Sequence, residues 1–175
     1  AQPPGGLTSR TTQHEARALH AAAGAVAAVC PALASQAQRL ARQLARRLVG
    51  LPATPGLVHG DFYARQVLLQ GGGTVGLIDF DEAAYGDCTS DLANFLAHLE
   101  YEVLRGTLGR ARAEAVGAAL LEGYSGAGGA VTVQSLSHHV AARLLLLAPQ
   151  PFRTFTSGWP THTAALLERV AELAV

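Results

Sequence analysis

Lysine is absent from all 175 residues, and so is methionine. The first absence excludes the most. A Walker A loop needs a lysine for the phosphates it cradles, and a Schiff-base enzyme needs one for its amine, so neither chemistry is available within this sequence. All 13 Lys and Arg positions are arginines, balanced by 13 carboxylates to a formal net charge of zero. That balance offers no basic face to nucleic acid or to an anionic membrane, and neither is expected as a partner. Cysteine is scarce: Cys30 and Cys88 stand far apart, in no C-x-x-C spacing, and fit a reducing compartment. No apolar run reaches the roughly 18 residues of a membrane-spanning helix. The apolar stretch Ala21–Val29 lacks the basic flank and cleavage pattern of a secretory signal. A soluble, cytoplasmic protein is the expectation.

What the chain does have is apolar content, 49% over a length sufficient for one compact domain with a real core. Residues 1–11, Pro- and Gly-rich at their start, read as a loose lead-in or linker, and 12–175 as the folded unit. An Ala-rich helix is expected over Thr12–Val29, ended by Cys30-Pro31 because proline has no backbone N–H to donate. A second helix, about Ala32–Val49, brings Leu33, Ala37, Leu40, Leu44 and Leu48 onto one face at steps of three and four residues, the mark of an amphipathic core helix. Gly50, Pro52, Pro55 and Gly56 then read as loop. Further helices are expected from Thr89 or Ser90, as cap, to Leu104, then over Arg110–Tyr124, Val131–Ala148 and Thr161–Leu173.

Between these helices lies Leu57–Asp91, where two short apolar runs each lead to a carboxylate. Val58, His59 and Gly60 precede Asp61, and Val75, Gly76, Leu77 and Ile78 precede Asp79. Val67, Leu68 and Leu69 form a strand candidate, with Gly71, Gly72 and Gly73 as the turn of a hairpin. Such a hairpin would carry Asp79 back toward the Asp61 loop, so that a general base and a metal ligand share one cleft.

The order His59-Gly60-Asp61, then Gln66, then Ile78-Asp79-Phe80-Asp81 resembles the catalytic core of the aminoglycoside phosphotransferase and choline kinase group. These are small-molecule kinases with a protein-kinase-like fold. The resemblance implies an α+β, mostly helical C-terminal lobe around a small catalytic hairpin, acting as an ATP-dependent phosphotransferase on a hydroxyl of a small-molecule acceptor. By the same resemblance Asp61 would be the catalytic base, and Asp79 with Gln66 would bind the nucleotide through Mg2+. His59 would orient the loop, and Asp91 would be buried beneath it, accepting its backbone hydrogen bonds. Where the family usually has Asn, Gln66 keeps the amide oxygen on a stem one methylene longer. Asp81 and Glu82 read either as solvated loop charges or as part of the acceptor site. The missing lysine and the missing glycine-rich loop imply that an N-terminal nucleotide lobe lies outside this chain, which alone would be inactive.

Two readings from other classes stand beside this one. A metal-dependent phosphohydrolase would gather His59, Asp61, Asp79 and Asp81 around cations, with water as nucleophile. A noncatalytic helical binding module of kinase-like ancestry would need none of them. Other constellations fail on spacing: His138-His139 are adjacent on a helix and face different ways. Gly123-Tyr124-Ser125-Gly126-Ala127 ends in Ala where a nucleophile elbow ends in Gly.

Overall fold

The structure, a computed structural model, describes residues 6–175. Seven α-helices and five short strands make a mostly helical α+β unit among these residues. Helix α1, Thr12–Val29, starts on a capping box in which the Thr11 hydroxyl accepts the His14 N–H and the His14 ring accepts the Thr11 N–H. It ends before Pro31, which opens a single 3-10 turn, Pro31–Leu33, leading directly into α2, Ala34–Val49. The leucine face of α2 is buried as its periodicity predicts, at Ala37, Leu40, Leu44 and Leu48.

The remaining helices are α3 (Thr89–Leu104), α4 (Arg110–Gly126), α5 (Val133–Leu147), the short α6 (Gln150–Arg153) and α7 (Trp159–Leu173). Helix α5 is the axis of the bundle, and it packs against α1, α2, α3 and α7. Ten of its 15 residues are buried, including His138, His139 and Arg143. Leu19, Val26, Leu44, Leu144, Leu145, Leu166, Leu167 and Val170 form the centre of this core. A smaller apolar cluster of Phe95, Leu99 and Ala113, flanked by Phe62 and Val67, ties the Leu57–Asp91 segment to α3 and α4. None of the described helices is long and apolar enough to cross a membrane.

Strands β3 (Val67–Leu69) and β4 (Val75–Leu77) form the expected antiparallel hairpin, Val67 opposite Leu77. Its turn needs glycine, because Gly72 and Gly73 both take φ of +83°. The second sheet was not foreseen. In it β5 (Ala84–Asp87) lies between β1 (Thr8–Ser9), parallel, and β2 (Pro55–Val58), antiparallel. Two expectations change accordingly. Pro55 and Gly56 begin a strand instead of ending a loop. Of the lead-in expected over 1–11, residues 1–5 lie outside the described residues, while Thr8 and Ser9 pair with Ala84 and Tyr85. The start of α3 also differs, since neither Thr89 nor Ser90 caps it with a side-chain bond and both are buried. The Asp87 carboxylate does that work from outside the helix, accepting the N–H of Thr89 at 3.0 Å and of Thr54 at 3.2 Å.

Candidate active site

The loop carrying Asp61 is held from below by one carboxylate. Asp91, in the first turn of α3, accepts the backbone N–H of His59 at 2.6 Å and of Gly60 at 3.0 Å, one on each oxygen. Charge-assisted bonds of this kind fix backbone more strongly than neutral ones. Gly60 takes φ of +86°, and a Cβ there would collide with the Glu82 carbonyl. Only glycine fits between the loop and the end of the hairpin. Asp61 follows, half-buried, with its Oδ1 accepting from the Asn94 amide at 3.3 Å. The same amide donates to the Phe62 carbonyl at 3.1 Å, so Asn94 fixes both the side chain and the backbone beyond it.

His59 joins this loop to the hairpin. Its Nε2 donates to the Ile78 carbonyl at 2.8 Å, which makes Nε2 the protonated nitrogen. The ring lies 4.7 Å from that of Phe80 and 6.0 Å from that of Phe62. One residue beyond Ile78, Asp79 takes φ of +67°, a left-handed conformation uncommon for a residue with a Cβ. Strained backbone of this kind collects at functional sites. The Asp79 side chain is exposed, and its Oδ2 accepts from the buried Gln66 amide at 3.0 Å. Gln66 is fixed in turn through its backbone, whose carbonyl accepts the Ile78 N–H at 3.1 Å.

A carboxylate and a primary amide in contact, one of them open to solvent, supply the hard oxygen ligands that a divalent cation such as Mg2+ takes, once the amide presents its oxygen. The donor set therefore fits that ion with two protein ligands. It does not extend to a multinuclear hydrolase centre. Among the described residues no three His, Cys, Asp or Glu side chains gather as a metal-binding group. One nitrogen of His59 is also committed to a carbonyl.

Asp61 lines a cavity of about 540 Å³ between the loop, α1, α3 and α5, with Glu82 at the same wall. Asp79 and the exposed Asp81 lie outside that lining. Sequence reasoning missed three contributors. Arg10 reaches over the loop, donating to the Gly60 carbonyl at 2.7 Å and to Glu82 at 3.1 Å, so it ties the Asp61 turn to the segment after Asp79. Asn94 is the second. The third is His98, stacked on Tyr63 with ring centroids 4.2 Å apart. Burial pushes the His98 imidazole below its ordinary range, against the opposing pull of Asp61 and Glu102, so it stands neutral at pH 7. No sequence pattern announces these residues. Arg10 meets Gly60 across fifty positions, and only the β1–β5 pairing brings them together.

Comparison with known proteins gives the family and the fold. The chain belongs to the phosphotransferase enzyme family, whose model matches residues 1–130. Among solved structures it is similar to a macrolide 2'-phosphotransferase type I, with 26% identity and a TM-score of 0.54 over 94% of this chain and 50% of that one. It also shares the fold of a choline/ethanolamine kinase family protein from Mesorhizobium loti, at 14% identity and a TM-score of 0.58, over 95% of this chain and 59% of that one. The chain thus spans a little over half the length of these two structures at most, and among curated proteins no match was found.

Proposed function

We propose that this chain is the acceptor-binding, catalytic half of an ATP-dependent phosphotransferase that acts on a hydroxyl of a small molecule, completed by an N-terminal lobe that supplies the nucleotide-binding lysine. One observation carries the reading. Asp91 and Asn94 hold Asp61 at the wall of an open cavity, and His59 links the same loop to the Asp79–Gln66 pair. The acceptor hydroxyl oxygen forms its bond to the γ-phosphorus, its proton passes to Asp61, and the bond from that phosphorus to the β-phosphate oxygen breaks to release the nucleoside diphosphate. Asp79 and Gln66 would hold Mg2+, whose charge would neutralise that of the phosphates. The chain's own contribution is to keep Asp61 fixed on the acceptor side and the oxygen ligands on the hairpin side.

A second lobe would meet exposed apolar side chains on this chain. Leu57 and Phe80 are 67% and 54% exposed and line one apolar groove with Leu77, and the cross-strand pair Leu69 and Val75 at the end of the hairpin is 80% and 57% exposed. Exposed apolar side chains in such numbers support an interaction face on this side of the chain. The test is Mg2+-ATP-dependent phosphorylation of an alcohol by the intact two-lobed protein, alongside this chain alone. Transfer by the intact protein, none by the isolated chain, and weakened metal-nucleotide binding in Asp79→Asn and Gln66→Leu, with Gln66→Asn retaining it, is the expected pattern. Efficient transfer by the isolated chain, or an intact protein that hydrolyses phosphoesters and transfers to no alcohol, overturns it.

A further inference from the structure

A second cavity, of about 320 Å³, takes no part in the chemistry proposed above. Tyr63, His98, Leu147 and Gln150 line both it and the cavity beside Asp61, so the stacked Tyr63–His98 pair belongs to a wall common to the two. Asp61 itself is not in the second lining. Its accessible surface is mainly polar and aromatic, because Phe95, Leu99 and Tyr101 are buried behind it while Arg65 and Thr154 are exposed and Tyr63, His98, Glu102 and Arg105 are half-buried.

Three charged side chains line this cavity, and two of them are engaged with each other. Arg105 approaches Glu102 at 3.6 Å and lies over the Tyr101 ring, 5.4 Å from its centroid, while Glu102 also accepts the Thr107 hydroxyl. His98 adds no cation, since burial keeps it neutral. Arg65 is left as the lining cation with no carboxylate within ion-pair distance among the described residues. A guanidinium is a planar fork of donors that pairs a carboxylate through two parallel bonds and stays charged at every ordinary pH. One negative charge would match it. A second would meet the Glu102 carboxylate, whose cation is already taken, so a dianion is disfavoured.

The rest of the ligand is set by the wall it meets. The Tyr63 and His98 rings are nearly parallel, 19° apart with centroids at 4.2 Å, and a flat aromatic body extends such a pair by offset or edge contact. The volume stands at the small end of ligand cavities and suits one or two rings.

We propose that this cavity is a second ligand site, separate from Asp61, for a planar aromatic monocarboxylate. Its carboxylate pairs with the Arg65 guanidinium, and its ring lies against Tyr63 and His98. The site goes beyond the phosphotransferase reading and does not depend on it. Its place in the chain is nonetheless close to that chemistry: Arg65 and Gln66 share the 3-10 turn Ala64–Gln66, and Gln66 bonds Asp79.

The test is an NMR titration of this 175-residue chain with benzoate, its neutral isostere benzamide, the cation benzylamine, and acetate, which keeps the charge and lacks the ring. Benzoate should bind saturably at millimolar concentration, shifting Tyr63, Arg65 and His98, and each of the other three should bind at least roughly tenfold more weakly or not at all. Arg65→Gln removes the cation at an exposed position and should weaken benzoate at least roughly tenfold while the melting temperature stays the same. Arg112→Gln, at an exposed arginine of α4 outside this lining, should leave benzoate affinity unchanged. No saturable binding of benzoate, benzamide or acetate binding as tightly, parental affinity in Arg65→Gln, or equal loss in Arg65→Gln and Arg112→Gln overturns the proposal. Shifts confined to Arg10 and His14, which line the Asp61 cavity alone of the two, would also overturn it by placing the anion there.

Discussion

In the bundle of α1, α2, α5 and α7, Leu44, Leu144 and Leu167 are wholly enclosed, whereas on the β3–β4 hairpin Leu69 and Val75 are 80% and 57% exposed. The two regions also differ in their polar groups. The bundle's buried arginine, Arg143, has its Glu15 partner, while on the side of the HGD loop and the hairpin Asp61 and Asp79 each present a carboxylate met by a neutral amide. A closed core and an open face whose carboxylates are free of cations are what a chain needs if one part is to hold shape and the other is to complete a reaction. The difference predicts that damage will divide cleanly, into stability on one side and chemistry on the other.

The sharpest way to break that division is Asp61→Asn in the intact protein. A positioned general base contributes about a hundred- to ten-thousand-fold. Turnover should therefore fall by that factor while the thermal midpoint and the affinity for magnesium-nucleotide stay near those of the parent. Paired steady-state kinetics and calorimetry check it, and near-parental turnover would remove Asp61 from the reaction.

On the bundle side, Leu144→Ala deletes a fully buried side chain on α5. The expected loss is about 2–5 kcal/mol of unfolding free energy, from lost transfer energy plus the cavity left behind. Denaturant titration of this chain measures it. A loss no larger than that of a surface substitution would mean that the α5 core is loosely packed.

Smaller again is Leu69→Ser, on the open face. In the isolated chain it should change stability by no more than about 0.5 kcal/mol, the usual range for a surface position. In the intact protein the same change should cost measurably more, because the proposed lobe would cover that side chain. Equal effects in the two contexts would show that Leu69 faces water in both.

Legibility in the sequence followed the same divide. The bounds of α1 and of the β3–β4 hairpin, and the buried face of α2, could be read directly, because each is set by neighbours a few positions away: a proline, a glycine turn, a leucine every third or fourth residue. Strands β1 and β5 could not. Ala-Tyr-Gly-Asp has no alternating pattern, and it is a strand only because β2 and β1 flank it. The motif gave Asp61, Asp79 and Gln66 as candidates, and Asp91 as the loop's support. It was silent on Arg10 and Asn94, whose contacts to the loop exist only after the chain has folded. Stop signals such as Pro31 and Gly50 were easy to see, yet α6, four residues from Gln150, falls below the length at which periodicity can be detected.

The smallest expected effect lies where the two regions meet, at His98 on α3. Burial lowers its pKa from the ordinary 6.5, outweighing Asp61 and Glu102, which pull it upward, while Arg65 adds to the lowering. Below 6.5 the unfolded chain takes up this proton and the folded chain resists it, so unfolding binds protons and stability falls with falling pH. The contribution is complete above the unfolded value and is lost progressively as pH falls through the lowered folded value. His98→Gln removes the group, keeps a planar polar side chain beside Tyr63, and should flatten the decline in melting temperature between about pH 7 and pH 5, where histidine is the side chain that ordinarily titrates. The readout is the difference between the two melting curves' pH slopes, which cancels the carboxylates common to both. Identical slopes would mean that His98 takes up its proton as readily when stacked on Tyr63 as it does in the unfolded chain.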